Sequence, residues 1–224
     1  MEAVTNQLTI CGTIEDHPQL DHEVFGEKFY HLPLRVPRLS GASDLLPVTI
    51  SERLLNGNVE PGVRVMVLGQ LRSYNKTVAG VGRLLLTAFA QQLSPPDDAE
   101  NPNAIALRGA LCKPPSFRTT PFGREIADLM LAVNRAFGKS DYIPCSAWGR
   151  TARYAASLRV GDRLQVQGRF QSREYQKQLP DGAVVTRVAY EVSLNRLTNE
   201  SKLQPVPGAL LADEEPLREL MSLS

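Results

Sequence analysis

Sliding the 224-residue sequence against itself by 97 positions brings two long stretches into register. Asn6, Gly12, Pro18, Phe25 and Gly26 fall opposite Asn103, Gly109, Pro115, Phe122 and Gly123. Leu32, Leu34, Val36 and Arg38 fall opposite Leu129, Leu131, Val133 and Arg135, and Gly41, Ser43, Asp44 and Pro47 opposite Gly138, Ser140, Asp141 and Pro144. That makes 13 identities in 42 ungapped positions, where unrelated segments give roughly 2 or 3, so a duplicated unit is required. After a two-residue shift, Gly62, Arg64, Val67, Gly69 and Ser73 face Gly161, Arg163, Val166, Gly168 and Ser172, and the match closes with Leu93 opposite Leu197. Whatever one copy folds into, the chain holds it twice, and each copy has the size of an ordinary small domain.

The pattern inside a copy is that of strands. In the second copy Ile105, Leu107 and Leu111 alternate with small or polar residues, the period of a half-buried strand. Four more β-rich runs follow at residues 126–133, 142–147, 163–170 and 185–194, bounded by Gly, Pro or Asp. Residues 113–123 carry prolines at 114, 115 and 121 and read as loop. Residues 151–158 (TARYAASL) place Ala152, Ala155, Ala156 and Leu158 at helical spacing; Ser51 to Leu55 takes their place in the first copy. Five strands, with a short helix between the third and fourth, is the order of an OB Greek-key barrel, although other small barrels share it. The expected fold class is therefore all-β: two tandem five-stranded OB-fold barrels. The expected plan is a first barrel over 1–93, a linker over 94–102 (SPPDDAENP begins at Ser94), a second barrel over 103–197 and a flexible acidic tail over 198–224.

The duplication also resolves the charge. The whole chain carries a net +1, but residues 1–98 hold 8 Lys/Arg against 11 Asp/Glu, residues 99–200 hold 15 against 9, and residues 201–224 hold 2 against 4. The second copy alone is basic, which suits a polyanionic partner.

Nearly the whole second copy carries a recognisable set of residues: Asn103 and Gly109, Leu111, Thr120 and Gly123, residues 131–135 (LAVNR), 141–145 (DYIPC), 147–149 (AWG), Leu158 to Gly161, and 168–175 (GRFQSREY). On these residues the second copy resembles the bacterial single-stranded DNA-binding protein family. The first copy keeps the framework glycines and the Leu-x-Leu-x-Val-x-Arg strand, and its assignment leans on the repeat. Membership implies OB folds, no enzyme activity, a cytoplasmic, nucleoid-associated location and four OB folds in the working assembly, hence a homodimer of two-barrel chains.

Binding single strands without reading sequence takes aromatic faces for bases and cations for phosphates. Matching the family's stacking positions implies Tyr142, Trp148 and Tyr175, with Phe137 in the loop between strands two and three. Candidate phosphate ligands are Arg124, Arg135, Lys139, Arg150, Arg153, Arg169, Arg173 and Lys177, of which Arg135, Arg169, Arg173 and Lys177 are preferred. The first copy has Leu45 and Ser51 where the second has Tyr142 and Trp148, so it is expected to bind weakly, through Arg72, Tyr74 and Lys76, read as the counterpart of Tyr175-Gln176-Lys177. DNA and RNA are served by the same chemistry, so RNA stays open beside single-stranded DNA.

The expected role is cover for exposed strands in replication, recombination and repair. The alternative is an accessory or assembly protein, for replication restart or for a plasmid or phage, whose barrels bind other proteins. Leu217, Leu220 and Met221 lie at helical spacing among the acids of the tail, a surface for replication or repair proteins, although the family's terminal aromatic is missing. No phosphate-loop, dinucleotide, zinc-protease or serine-hydrolase motif is present, so no enzyme and no cofactor is expected. His17, His22 and His31 have no cysteine at ligand spacing, and Cys11, Cys112 and Cys145 read as small buried side chains without metal or disulfide. No apolar run is long enough to span a membrane and the first residues lack a signal-peptide pattern, so a membrane partner is not expected.

Overall fold

A computed structural model describes residues 5–55, 57, 59–78, 81–96, 102–179 and 182–202. The strands of the first copy are β1 (Asn6–Ile14), β2 (Gln19–Val24), β3 (Glu27–Pro37), β4 (Ser43–Ser51), β5 (Arg64–Val78) and β6 (Val81–Ser94). The second copy contributes β7 (Asn103–Leu111), β8 (Ser116–Thr119), β9 (Glu125–Asn134), β10 (Ser140–Trp148), β11 (Arg163–Gln178) and β12 (Val184–Asn199). A helix, α1 (Gly149–Ala155), separates β10 from β11, whereas the first copy has a single 3-10 turn over Glu52–Leu54. Leaving aside β2 and β8, each copy is the five-stranded OB barrel, and the two stand in tandem.

Repeat-matched residues build matched cores. Leu32, Leu34 and Val36 on β3 and Leu129, Leu131 and Val133 on β9 all point inward, as do Val48 and Ile50 on β4 and Cys145 and Ala147 on β10. Each fully buried aliphatic side chain contributes about 1.5–3 kcal/mol relative to exposure. The barrels close where β3 returns to β1 and β9 to β7. A Cβ on Gly12 would lie 2.6 Å from the Arg35 carbonyl oxygen, and one on Gly109 2.5 Å from that of Ala132, so the closure needs glycine in both copies.

Three details differ from the sequence reading. Residues 113–123 are not all loop, because the prolines flank Ser-Phe-Arg-Thr, which pairs with β9 as β8. The β11–β12 ribbon runs well beyond 163–170 and 185–194, since a two-stranded arm outside the core needs ladder hydrogen bonds but no apolar periodicity. Its last strand passes position 197: Asn199 is buried, and Glu200 pairs with Arg108 at 2.7 Å. Of the cysteines, Cys11 and Cys145 are buried, and Cys112 is half-buried with its Sγ 3.2 Å from the Met130 carbonyl oxygen. Residues 97–101 of the linker and 203–224 of the tail lie outside the described residues.

The copies are joined into one sheet, in the order β2-β3-β4-β6-β5-β1-β7-β11-β12-β10-β9-β8. That order reads alike from both ends in repeat terms, so a pseudo-twofold axis passes between β1 and β7. Those strands pair antiparallel, with Leu8 opposite its own repeat partner Ile105. Beside this ladder, Asn6 closes a two-bond ring with the Leu71 backbone (2.7 and 2.9 Å), and Asn103 does the same with Phe170 (2.8 and 2.9 Å).

Two buried carboxylates then latch one barrel to the other. Asp141 accepts from the Ser73 backbone N–H of the other copy and from Nε (2.6 Å) and Nη2 of Arg135, whose Nη2 also donates to the Ser73 carbonyl at 3.0 Å. Asp44 accepts from the Ser172 backbone N–H (2.7 Å) and hydroxyl (2.8 Å) and from Arg38, whose Nη2 donates to the Ser172 carbonyl at 2.7 Å. Both aspartates are 0% exposed. Burial works to raise the Asp44 carboxyl, but the bonds from Arg38 and Ser172 outweigh it and hold the group below its ordinary value.

Candidate nucleic-acid interface

The outward face of the second barrel is set by strand alternation. On β10 the odd residues Asp141, Ile143, Cys145 and Ala147 are buried, which turns Tyr142 and Trp148 outward at 47% and 37% exposure. On β11 Leu164, Val166 and Phe170 point inward, which turns Arg169, Gln171, Arg173, Tyr175 and Lys177 to the other side. The antiparallel register with β12 sets Tyr175 opposite Arg187 and Arg173 opposite Ala189. Tyr175 is 37% exposed, and the Arg173 guanidinium lies 5.9 Å from its ring centre. The Tyr142 backbone is pinned from the first barrel, its N–H donating to the Ser73 hydroxyl at 2.7 Å.

The remaining residues singled out from sequence are dispersed. Arg150 is exposed on the first turn of α1. Arg135 is committed to the Asp141 latch, and Arg169 reaches Asp44 at 3.4 Å, so both spend charge on the barrel junction. The side chains of Phe137 and Lys76 lie outside the described residues. Of the wider cation set, Arg153 pairs with Glu125 at 2.7 Å.

In the first barrel the Arg72 guanidinium carbon lies over the Phe89 ring, 3.5 Å from its centre. Burial, followed by repulsion from Arg135, lowers its guanidinium below the usual value. Tyr74 is half-exposed beside it, its phenol raised by burial and by Asp21. The counterpart of Tyr74 is not Tyr175. Ser73 and Ser172 occupy matching latch positions, so Tyr74 corresponds to Arg173. The slip of two residues keeps the face but changes the neighbour. Ser51, at the position of Trp148, is buried and donates to Glu27.

Two cations were missed from sequence. Arg187 on β12 and Arg83 on β6 line a groove of about 470 Å3 between the barrels together with Arg173, Tyr175 and Lys177. Arg187 shares the face of Tyr175, its direct partner across the β11–β12 ladder, but residues 185–189 (VTRVA) carry no apolar–polar alternation that marks it. Arg83 belongs to the diverged acidic copy and carries no local signal.

The Single-strand binding protein family model matches residues 102–198. Single-stranded DNA-binding protein B of Bacillus subtilis is 36% identical over 93 residues, 38% of this chain and 82% of that protein. The chain belongs to the single-strand binding protein family. Single-stranded DNA-binding protein A of the same organism is 38% identical over 96 residues, 40% of this chain and 56% of that protein, so the chain spans about half the length of such family members. The wild-type single-stranded DNA binding protein from Thermus aquaticus superposes with a TM-score of 0.70 at 24% identity, over 93% of this chain and 96% of that one. That likeness shows that the same two-barrel fold extends over almost the entire family member described here. Among the described residues no group of three or more His, Cys, Asp and Glu is placed to hold a metal, and no helix is long and apolar enough to cross a membrane.

Proposed function

We propose that this chain binds single-stranded DNA without reading its sequence, along the outward face of the second barrel, and so covers exposed strands in replication, recombination and repair. The observation that carries this reading is the exposure of Tyr142, Trp148 and Tyr175 on one barrel whose neighbouring outward positions hold Arg173, Lys177 and Arg187. Aromatic faces stack on any base, at roughly 1–3 kcal/mol each, and cations track the backbone. Within this reading Tyr142, Trp148, Arg150, Arg173, Tyr175 and Lys177 touch the strand. Arg135 and Arg169 position the barrels, and Arg72, Tyr74 and Lys76 form a weaker contact on the first. Phe137 joins the stacking set.

The same reading takes the units as barrels over 1–93 and 103–197 with a linker between them and a tail after them. It takes the working assembly as a homodimer with four OB folds, in the cytoplasm and on the nucleoid, with the tail open to replication or repair proteins. The chain then acts by binding and not by catalysis.

Trp148 is the sole tryptophan and provides the test. Titration with oligothymidine is expected to quench its fluorescence, with log affinity falling against log salt by about 0.7 per phosphate engaged. An oligouridine titration run in parallel reports the preference between DNA and RNA. Absence of both quenching and a salt slope overturns the reading in favour of a protein-binding accessory role.

A further inference from the structure

The two barrels meet again away from the β1–β7 seam, where the β5–β6 ribbon of the first barrel comes against the β11–β12 ribbon of the second. The groove between them has an uneven charge. Arg83 reaches it from β6, Arg173 and Lys177 from β11, and Arg187 from β12, around the Tyr175 ring. Glu191 is the one carboxylate among its described lining residues. That carboxylate is already used: Glu191 is buried at 6% exposure and takes the Ser146 hydroxyl (3.1 Å), the Gln171 amide (3.1 Å) and Arg173 Nε (3.4 Å). Arg83, Lys177 and Arg187 therefore share the groove with a single carboxylate that Arg173, Ser146 and Gln171 already occupy. Arg83 is also under-satisfied, with its Nε buried and lacking a hydrogen-bond partner among the described residues. A cluster of like charges around an aromatic ring is unfavourable alone and is relieved by a polyanion with flat bases.

We infer that Arg83 of the acidic first barrel completes the strand-binding groove of the basic second barrel, forming with Arg173, Lys177 and Arg187 a backbone phosphate subsite beside the base stacked on Tyr175. The inference rests on the reading that the chain binds single-stranded DNA, and it revises the first barrel's part in that reading. The first barrel then does more than bind weakly through Arg72, Tyr74 and Lys76, because it supplies one of the four phosphate ligands across the junction. The latches fix that geometry: Ser73 on β5 is held by Asp141, so the ribbon bearing Arg83 is anchored to the barrel it serves.

The test uses the full chain and oligothymidine at several salt concentrations, with Arg83→Ala, Arg83→Lys and Arg187→Ala. Arg83→Ala is expected to bind about five-fold more weakly at low salt and to make the salt slope shallower by about 0.7, the value for one phosphate contact on a single strand. Arg83→Lys is expected to restore most of the slope, since a point charge suffices for a phosphate. Arg187→Ala should reproduce the loss of slope, and the double alanine variant should lose about 1.4. An Arg83→Ala protein with unchanged affinity and slope overturns the inference. So does a loss of affinity that is equal at every salt concentration and is not rescued by lysine, which would make Arg83 a packing residue. A parent chain that fails to bind oligothymidine overturns the underlying reading instead, so the two failures are distinguishable.

Discussion

Substituting Asp141 by asparagine removes the charge from one of the two latches. The carboxylate is fully buried and receives three donors, two from Arg135 and one from the Ser73 backbone of the other barrel. An amide keeps one acceptor oxygen but turns an N–H toward groups that are themselves donors, leaving a guanidinium without its counter-charge. Removing one partner of a buried ion pair typically costs about 3–5 kcal/mol. The Arg135 side chain is 28% exposed and regains some water, so the expected cost is about 2–4 kcal/mol. For a chain of this size that lowers the midpoint of a thermal melt by roughly 5–15 °C. Circular dichroism melts at neutral pH measure it, and the pseudo-twofold adds an internal control: Asp44→Asn should cost at least as much, because Asp44 also accepts from the Ser172 hydroxyl and from Arg169. Replacing Arg135 by methionine in the Asp141→Asn background should recover part of the loss, because the uncompensated charge leaves with it. Losses below about 0.5 kcal/mol for both aspartates would refute the argument that these carboxylates hold the barrels together.

Other outcomes follow from the same geometry. Tyr175→Ala should weaken oligothymidine binding by about 1–3 kcal/mol, with Tyr175→Phe retaining most of it, as read by Trp148 quenching. The folded Asp44 carboxyl lies below its ordinary value of 3.8, so its stabilisation is complete above that value and is lost as pH falls through the depressed folded one. The melting difference between the parent chain and Asp44→Asn should therefore hold from neutral pH down to about pH 4 and shrink below it. Gly168→Ala would put a Cβ 2.3 Å from the Ser193 carbonyl oxygen, beside the bulge at Asn195 of β12, and about 2 kcal/mol or more should be lost in urea unfolding. Gly82→Ala meets nothing within 4 Å and should stay within about 0.5 kcal/mol of the parent.

Dividing the chain between its repeats is a poor way to compare the barrels. The β1–β7 ladder and both latches would be broken, exposing two strand edges and two buried carboxylates. Substitution on the full chain keeps the seam intact.

The amino-acid sequence alone determined the duplication, the strand order, the inward-facing residues and the basic character of the second copy. These are local properties: the period-2 alternation that buries Leu129, Leu131 and Val133 is written along one strand, as is the outward direction of Tyr142 and Tyr175. The repeat even recorded the junction without revealing its use. Arg38 and Arg135, Asp44 and Asp141, and Ser73 and Ser172 stood out as identities because each pair occupies matching positions about a pseudo-twofold axis. Only the tertiary structure decided that Arg135 joins barrels where a phosphate ligand was expected, and that Arg83 from an acidic copy stands in the groove of the basic one. The physical reason is range: alternation tells which face a side chain takes, while the Ser73 backbone that the Arg135–Asp141 pair meets there comes from a strand more than sixty residues away.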